Sequence, residues 1–130
     1  MKYISCLMLA ALFAAPLQAA GVKELLSEYQ VGAGRPFSAE AGKQAWLREV
    51  PAPNGGAARS CASCHTADPG GTGRHLRTSK TIEPMSPRVN PRRLTDKAKI
   101  EKWFKRNCRW TWGRDCTPQE RGDLLLFIQS

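Results

Sequence analysis

Apolar residues recur along this chain at spacings of three and four, and nowhere in a convincing period-two alternation, so the pattern predicts helices joined by loops. Val22, Leu25, Leu26 and Tyr29 predict a short amphipathic helix over residues 22–30. Ser38 stands where it can cap a second helix running to about Val50, with Gly42, Ala45, Trp46 and Glu49 on successive turns. The stretch from Pro51 to Ala58 ends it. Thr95 stands where it can cap a third helix in which Ile100, Trp103 and Phe104 share a face. Thr117-Pro118-Gln119-Glu120 reads as a capping box with proline at the first helical position. It opens a last helix whose Leu124, Leu125, Phe127 and Ile128 can pack inward. Asp68 to Gly73 is too rich in glycine for regular structure, and Pro84, Pro87 and Pro91 punctuate the run before the third helix. The expected fold class is all-α, with a thin core for its length.

One apolar run has no place in that fold. Ile4 to Ala15 follows Lys2 and precedes Pro16 and the small residues Ala19 and Ala20, the layout of a secretory signal peptide. Residues 1–20 are therefore expected to be removed on export to the periplasm, Cys6 with them, leaving one domain over residues 21–130 that does not span a membrane. Loss of Lys2 lowers the formal charge from +9 to +8.

Export changes the meaning of the four cysteines that remain. Cys61-Ala62-Ser63-Cys64-His65 presents two thiols able to add across haem vinyl groups, and beside them an imidazole that can reach the iron. A thioredoxin-like pair would sit in a βαβ context that this sequence lacks, and a zinc site would need a second ligand pair, whereas the only other histidine is His75. The cofactor expected is one covalently attached haem c, with Cys61 and Cys64 in the thioethers and His65 as proximal ligand. Such a group would also fill the thin core. Cys108 and Cys116 lie eight positions apart with Gly113 between them, close enough to form a local disulfide if the backbone turns back. The bridge would stabilise by about 2 to 3 kcal/mol. Two buried free thiols are the alternative.

The second half of the chain carries a further likeness. Thr78-Ser79-Lys80-Thr81-Ile82-Glu83-Pro84, Asn90-Pro91-Arg92-Arg93-Leu94-Thr95-Asp96, and Lys102-Trp103-Phe104-Lys105-Arg106-Asn107-Cys108 followed by Gly113-Arg114-Asp115-Cys116-Thr117-Pro118, resemble the sphaeroides haem protein type of monohaem cytochrome c. The likeness runs over roughly residues 36–128, within the class I cytochrome c architecture of helices wrapped around one haem. It implies a disulfide at the positions of Cys108 and Cys116, and an asparagine as sixth ligand of the ferric iron, here Asn107. It also implies binding of small diatomic ligands (O2, NO, CO) after reduction, and a redox partner that is a dihaem cytochrome c or a membrane cytochrome b.

The residues alone leave the distal side open. Met85 follows Pro84 about twenty positions after His65, and a thioether is the usual sixth ligand of an electron-carrying cytochrome c, although Met85 also reads as a gap-filling side chain. His75 would give a two-histidine haem, but stands close behind the proximal ligand in a Gly/Arg segment. Asn107 stands where the third helix is expected to end, a position at which asparagine commonly caps. Spacing favours Met85; the resemblance favours Asn107. The choice decides the function. A carboxamide oxygen is a hard, weak donor that suits ferric iron, so reduction would release it and open a site. Methionine would stay bound in both states, as in a plain electron carrier.

Charge bears on partners. Between Arg59 and Arg114 fourteen Lys and Arg face four acidic residues, while the rest of the mature chain is slightly acidic. A basic rim would steer an acidic redox partner, with Arg77, Lys80 and Arg88 as candidates for the haem propionates. Nucleic acid is not an expected target of an exported chain. Trp46, Trp103 and Phe127 read as packing groups, whereas Trp110 and Trp112, in the loop expected between Cys108 and Cys116, read as a roof over the distal pocket. No Ser/His/Asp set, carboxylate pair or phosphate loop points to another chemistry.

Overall fold

A computed structural model describes residues 18–52 and 54–130, and side chains from residue 21 onward; the expected signal segment, including Cys6, therefore lies almost wholly outside the described residues. Among the described residues five helices and one small hairpin follow in the order α1 Gln18–Val31, α2 Ala39–Leu47, α3 Ala62–His65, β1 Gly73–Arg74, β2 Thr81–Ile82, α4 Lys97–Trp112 and α5 Pro118–Gln129. No described helix is long and apolar enough to cross a membrane.

Local chemistry sets the helix ends. Ser38 caps α2, its hydroxyl accepting from the Ala41 N–H. The helix stops at Leu47, short of the expected Val50. Val50 precedes a proline, which disfavours helical backbone, and it exchanges two backbone hydrogen bonds of 2.8 Å with Arg59 instead. The intervening loop is thus pinched at its base. Asp96, not Thr95, caps α4, accepting from the Lys99 N–H, while the Thr95 hydroxyl donates to the Arg92 carbonyl. The same helix runs on to Trp112 and ends at Gly113 in the left-handed conformation, φ 71°. The box at Thr117 and Glu120 opens α5 with both reciprocal bonds in place. The hairpin, Gly73 opposite Ile82 and Arg74 opposite Thr81, is a local departure from an otherwise helical chain; two residues per strand are too few for alternation to show.

The core forms around α5, which contributes to two apolar clusters. One joins Val22, Leu25 and Tyr29 of α1 to Ile100 and Leu125; the other joins Trp46 to Cys108, Trp112, Cys116, Leu124 and Ile128. The closest helix crossing is between α2 and α5. A methyl group on Gly42 would stand 2.0 Å from the Asp123 carbonyl oxygen and 2.8 Å from the Phe127 side chain, so only glycine lets the backbones meet. Gly122 makes equally close room for the Phe37 ring. Buried Asp123 accepts from the Ser38 N–H at 2.8 Å and pairs with both terminal nitrogens of Arg35, which fastens the entry to α2 onto α5.

Candidate haem site

The CxxCH sequence forms a single helical turn, α3, braced at its start by reciprocal hydrogen bonds. The Ser60 N–H donates to the Ser63 hydroxyl at 3.0 Å, and the Ser63 N–H to the Ser60 hydroxyl at 3.2 Å. Cys61 is half-buried, Cys64 is buried, and both are free thiols. Burial pushes the Cys61 thiol up to about 12, opposed by the charge of Arg48, so it stays protonated rather than forming the reactive thiolate of a redox pair. Thr66 ends the turn at φ 66°, and its carbonyl accepts from the Trp46 indole at 2.8 Å. Gly73 backs the turn so closely that a methyl group there would lie 2.1 Å from the Cys64 carbonyl oxygen. The His65 ring stands 5.5 Å from the Trp46 ring. Burial, then the charges of Arg93 and His75, lower its pKa to about 4, which leaves a neutral imidazole with a lone pair for a metal.

The three distal candidates differ in how they are held. Met85 sits in a loop whose Met85 and Ser86 N–H groups both donate to the Pro69 carbonyl, at 2.7 and 2.9 Å. Arg93 secures the same loop, donating to the Pro84 carbonyl at 2.9 Å and the Glu83 carbonyl at 2.8 Å. Met85 itself packs against the cluster that contains Cys108 and borders Cys61. His75 belongs to the hairpin, where its Nδ1 accepts from the N–H groups of Arg77 and Thr78. Asn107 is not a helix cap. It lies inside α4, half-buried, on the face that also carries Phe104, Cys108 and Thr111, and its carboxamide makes no hydrogen bond to a described residue. Cys108 and Cys116 are joined as a disulfide, Cα–Cα 5.6 Å, which ties the last turns of α4 to the start of α5.

Other expectations need correction. Trp110 and Trp112 belong to α4, not to a loop, and they part company. Trp112 is buried beneath the Arg48 guanidinium at 4.2 Å, whereas Trp110 lies outside, stacked by Arg59 at 4.2 Å. They do not form one roof. Trp103 is 41% exposed, partnered by Arg106 at 5.4 Å, and so is not a core group, whereas Trp46 and Phe127 do pack, edge to face at 5.8 Å. Arg77 and Arg88 line different clefts and Lys80 is exposed, so the three suggested propionate partners are not gathered in one place. Arg93, which charges the surroundings of His65 and pins the Met85 loop, had no signal in the sequence beyond one more basic residue in a basic stretch.

The donor set fits haem. Two adjacent free thiols and a neutral imidazole occupy one short turn, and the two buried polar atoms without a described partner, His65 Nδ1 and Trp112 Nε1, both border this core. Among the described residues no group of three His, Cys, Asp or Glu is gathered so as to hold a metal ion by itself. Residues 32–128 match a family model described as a domain of unknown function, DUF1924. The chain is 40% identical over 126 residues, covering 94% of it and 95% of the relative, to the cytochrome c-type protein SHP of Cereibacter sphaeroides. It resembles the solved structure of oxidised SHP, described as an oxygen-binding cytochrome c, with a TM-score of 0.74 and 39% identity over 83% of this chain and 95% of that one. It also resembles the solution structure of cytochrome c'' from Methylophilus methylotrophus, described in terms of haem-ligand detachment, with a TM-score of 0.77 and 30% identity over 86% of this chain and 94% of that one. With identity at that level across nearly the whole of both chains, this chain belongs to the SHP and cytochrome c'' family of c-type cytochromes, whose cofactor is a covalently attached haem.

Proposed function

We propose that this chain is an exported, periplasmic cytochrome whose distal ligand, Asn107, holds the ferric haem and lets go on reduction. In this reading Cys61 and Cys64 form the thioethers and His65 is the proximal ligand. A bound haem supplies one-electron exchange at its iron and a sixth position open to a small diatomic ligand. The relative described as an oxygen-binding cytochrome c supports that ligand class, and the one described in terms of haem-ligand detachment supports release. The observation that carries the choice of Asn107 is its half-buried carboxamide, without a hydrogen-bond partner among the described residues, on the inner face of α4 and next to a disulfide that fixes that helix. A polar side chain inside a helix ordinarily bonds to the backbone or turns fully to solvent; Asn107 is half-buried and bonds to no described residue, which leaves its carboxamide available to a ligand. As an oxygen donor it holds ferric iron better than ferrous, so reduction weakens the bond without any other change in the protein. The redox partner is an acidic protein, a dihaem cytochrome c or a membrane cytochrome b, and charge steers it to the basic segment.

Absorption spectra of the matured protein, ferric and then ferrous with carbon monoxide, test the proposal. The expected ferric spectrum lacks the sulfur-to-iron charge-transfer band, and the ferrous protein becomes high-spin and takes up carbon monoxide at once. Asn107→Ala should turn the ferric form high-spin, while Met85→Leu leaves it unchanged. A charge-transfer band lost in Met85→Leu, with a ferrous form that ignores carbon monoxide, would make Met85 the ligand and the protein a plain electron carrier.

A further inference from the structure

Arg59 precedes Cys61 by two positions, and Trp110 follows Asn107 by three, yet the two meet. The Arg59 guanidinium lies over the Trp110 ring at 4.2 Å and donates to the Trp110 carbonyl at 3.3 Å. Together with Arg77, Arg109 and Leu76 they line an open cleft of about 710 Å³. Its character is set by what it contains. Three guanidiniums face it, and none of the described residues lining it is acidic. Arg109 is already engaged by Asp115, at 2.6 and 3.1 Å, but Arg77 has no side-chain partner among the described residues, and Arg59 keeps most of its donors free. Beside the cleft, the His75 ring lies 6.1 Å from Trp110, and because its Nδ1 accepts from two backbone N–H groups, Nε2 carries the hydrogen and is one donor more.

A wall with three guanidiniums and no acidic side chain among its described lining attracts anions, and stacking on an indole holds a guanidinium flat with its edge free for bidentate contact with a carboxylate. The size of the cleft decides between a small ion and a protein surface. A single inorganic oxyanion would fill a small fraction of it, whereas two or three side chains of a docked protein suit both the volume and the apolar patch formed by Leu76, 54% exposed, and Trp110. Its position matters as well, since Arg59 ties it to the CxxCH turn and Trp110 to the helix of Asn107. We infer that the Arg59–Arg77–Trp110 cleft is the docking site for a carboxylate-rich surface of the protein that exchanges electrons with this haem. The inference rests on the electron-exchanging reading above and adds where that exchange takes place.

Anaerobic stopped-flow oxidation of the ferrous holoprotein tests it, with one electron passing from ferrous haem to an anionic oxidant, ferricyanide, or to a cationic one, tris(phenanthroline)cobalt(III). In the double variant Arg59→Gln, Arg77→Gln the bimolecular rate with ferricyanide should fall about tenfold at low salt and lose most of its salt dependence, while the cobalt rate changes less than twofold. The pair Lys99→Gln, Lys102→Gln removes the same charge from an exposed part of α4 and should lower the ferricyanide rate less than twofold. A decaglutamate peptide should slow ferricyanide oxidation of the wild type and leave the Arg59, Arg77 variant untouched. Equal losses in the two double variants, or equal competition by the peptide, would reduce the effect to net charge and overturn the inference. So would an altered haem spectrum in the Arg59, Arg77 variant, which would mean that these arginines hold the haem's own propionates. An intact cobalt rate beside a failed ferricyanide result would leave the electron-exchanging reading standing and remove only the cleft.

Discussion

The helical frame and the segment between α3 and α4 are held together by different means. In the frame, α2 meets α5 so closely at Gly42 that backbone touches backbone, and the positions of Trp46 and Phe127 follow from that contact. From Thr66 to Thr95 the chain packs on the core through few apolar groups, Met85 and Leu94 among them, and is placed largely by individual polar bonds, such as the Pro69 carbonyl accepting from Met85 and Ser86, and Arg93 gripping the carbonyls of Glu83 and Pro84. Close packing resists any change in volume and shares each disturbance among many atoms. Point bonds can be lost one at a time, with local effects. The frame thus holds the proximal turn through Trp46, and the segment beyond it can lose a single bond without the fold giving way.

The largest effect expected from this contrast is on Gly42→Ala, which drives a methyl group into the Asp123 carbonyl and should destabilise the holoprotein by about 3 kcal/mol in denaturant unfolding. Asp123→Asn comes next. It keeps the shape but removes the charge that Arg35 pairs with and weakens the bond from the Ser38 N–H, for a loss of about 2 kcal/mol by the same measurement. Arg93→Gln, in the point-bonded segment, should cost only about 1 kcal/mol globally, yet hydrogen exchange at the Met85 and Ser86 amides should speed up while the α5 amides keep their protection. A loss as large as that of Gly42→Ala would erase the distinction between the two regions. The smallest effect is read from its dependence on pH. Burial pushes the Glu120 carboxyl up, but hydrogen bonds from Arg114, the Thr117 N–H and Arg48 outweigh it and hold the pKa at about 2. A lowered carboxyl pKa contributes stability that is complete above the ordinary value near 4.5 and is lost as pH falls from there towards 2. Glu120→Gln should therefore flatten the fall in melting temperature across that window and leave its slope at neutral pH unchanged.

The same contrast explains what could be read from the chain before its structure. Signals carried by neighbouring residues were legible: the CxxCH turn, Ser38 before α2, the Thr117–Glu120 box, and two cysteines eight positions apart. Where two local signals competed, the nearer one misled. Thr95 and Asp96 can both cap; it is the Asp96 carboxylate that accepts from the Lys99 N–H, while the Thr95 hydroxyl donates back to the Arg92 carbonyl. Asn107 looked like a helix end, but the apolar face continues through Thr111 and Trp112 to Gly113, which ends the helix at far lower conformational cost. The roles of Arg93 and Arg59 could not be read at all. Each depends on partners 9 to 51 positions away, brought close by folding rather than by spacing.

The pair of backbone bonds between Val50 and Arg59 has a consequence for how such chains diversify. Because those bonds close the loop at its base, residues inside it can be added or deleted without shifting the register of Cys61 and His65 behind it. Arg59 is at once the last residue of that closure and part of the arginine cleft. Changes in that loop can therefore reshape the wall of the cleft, which Asn54, Ala57 and Ala58 also line, and leave the CxxCH turn in place.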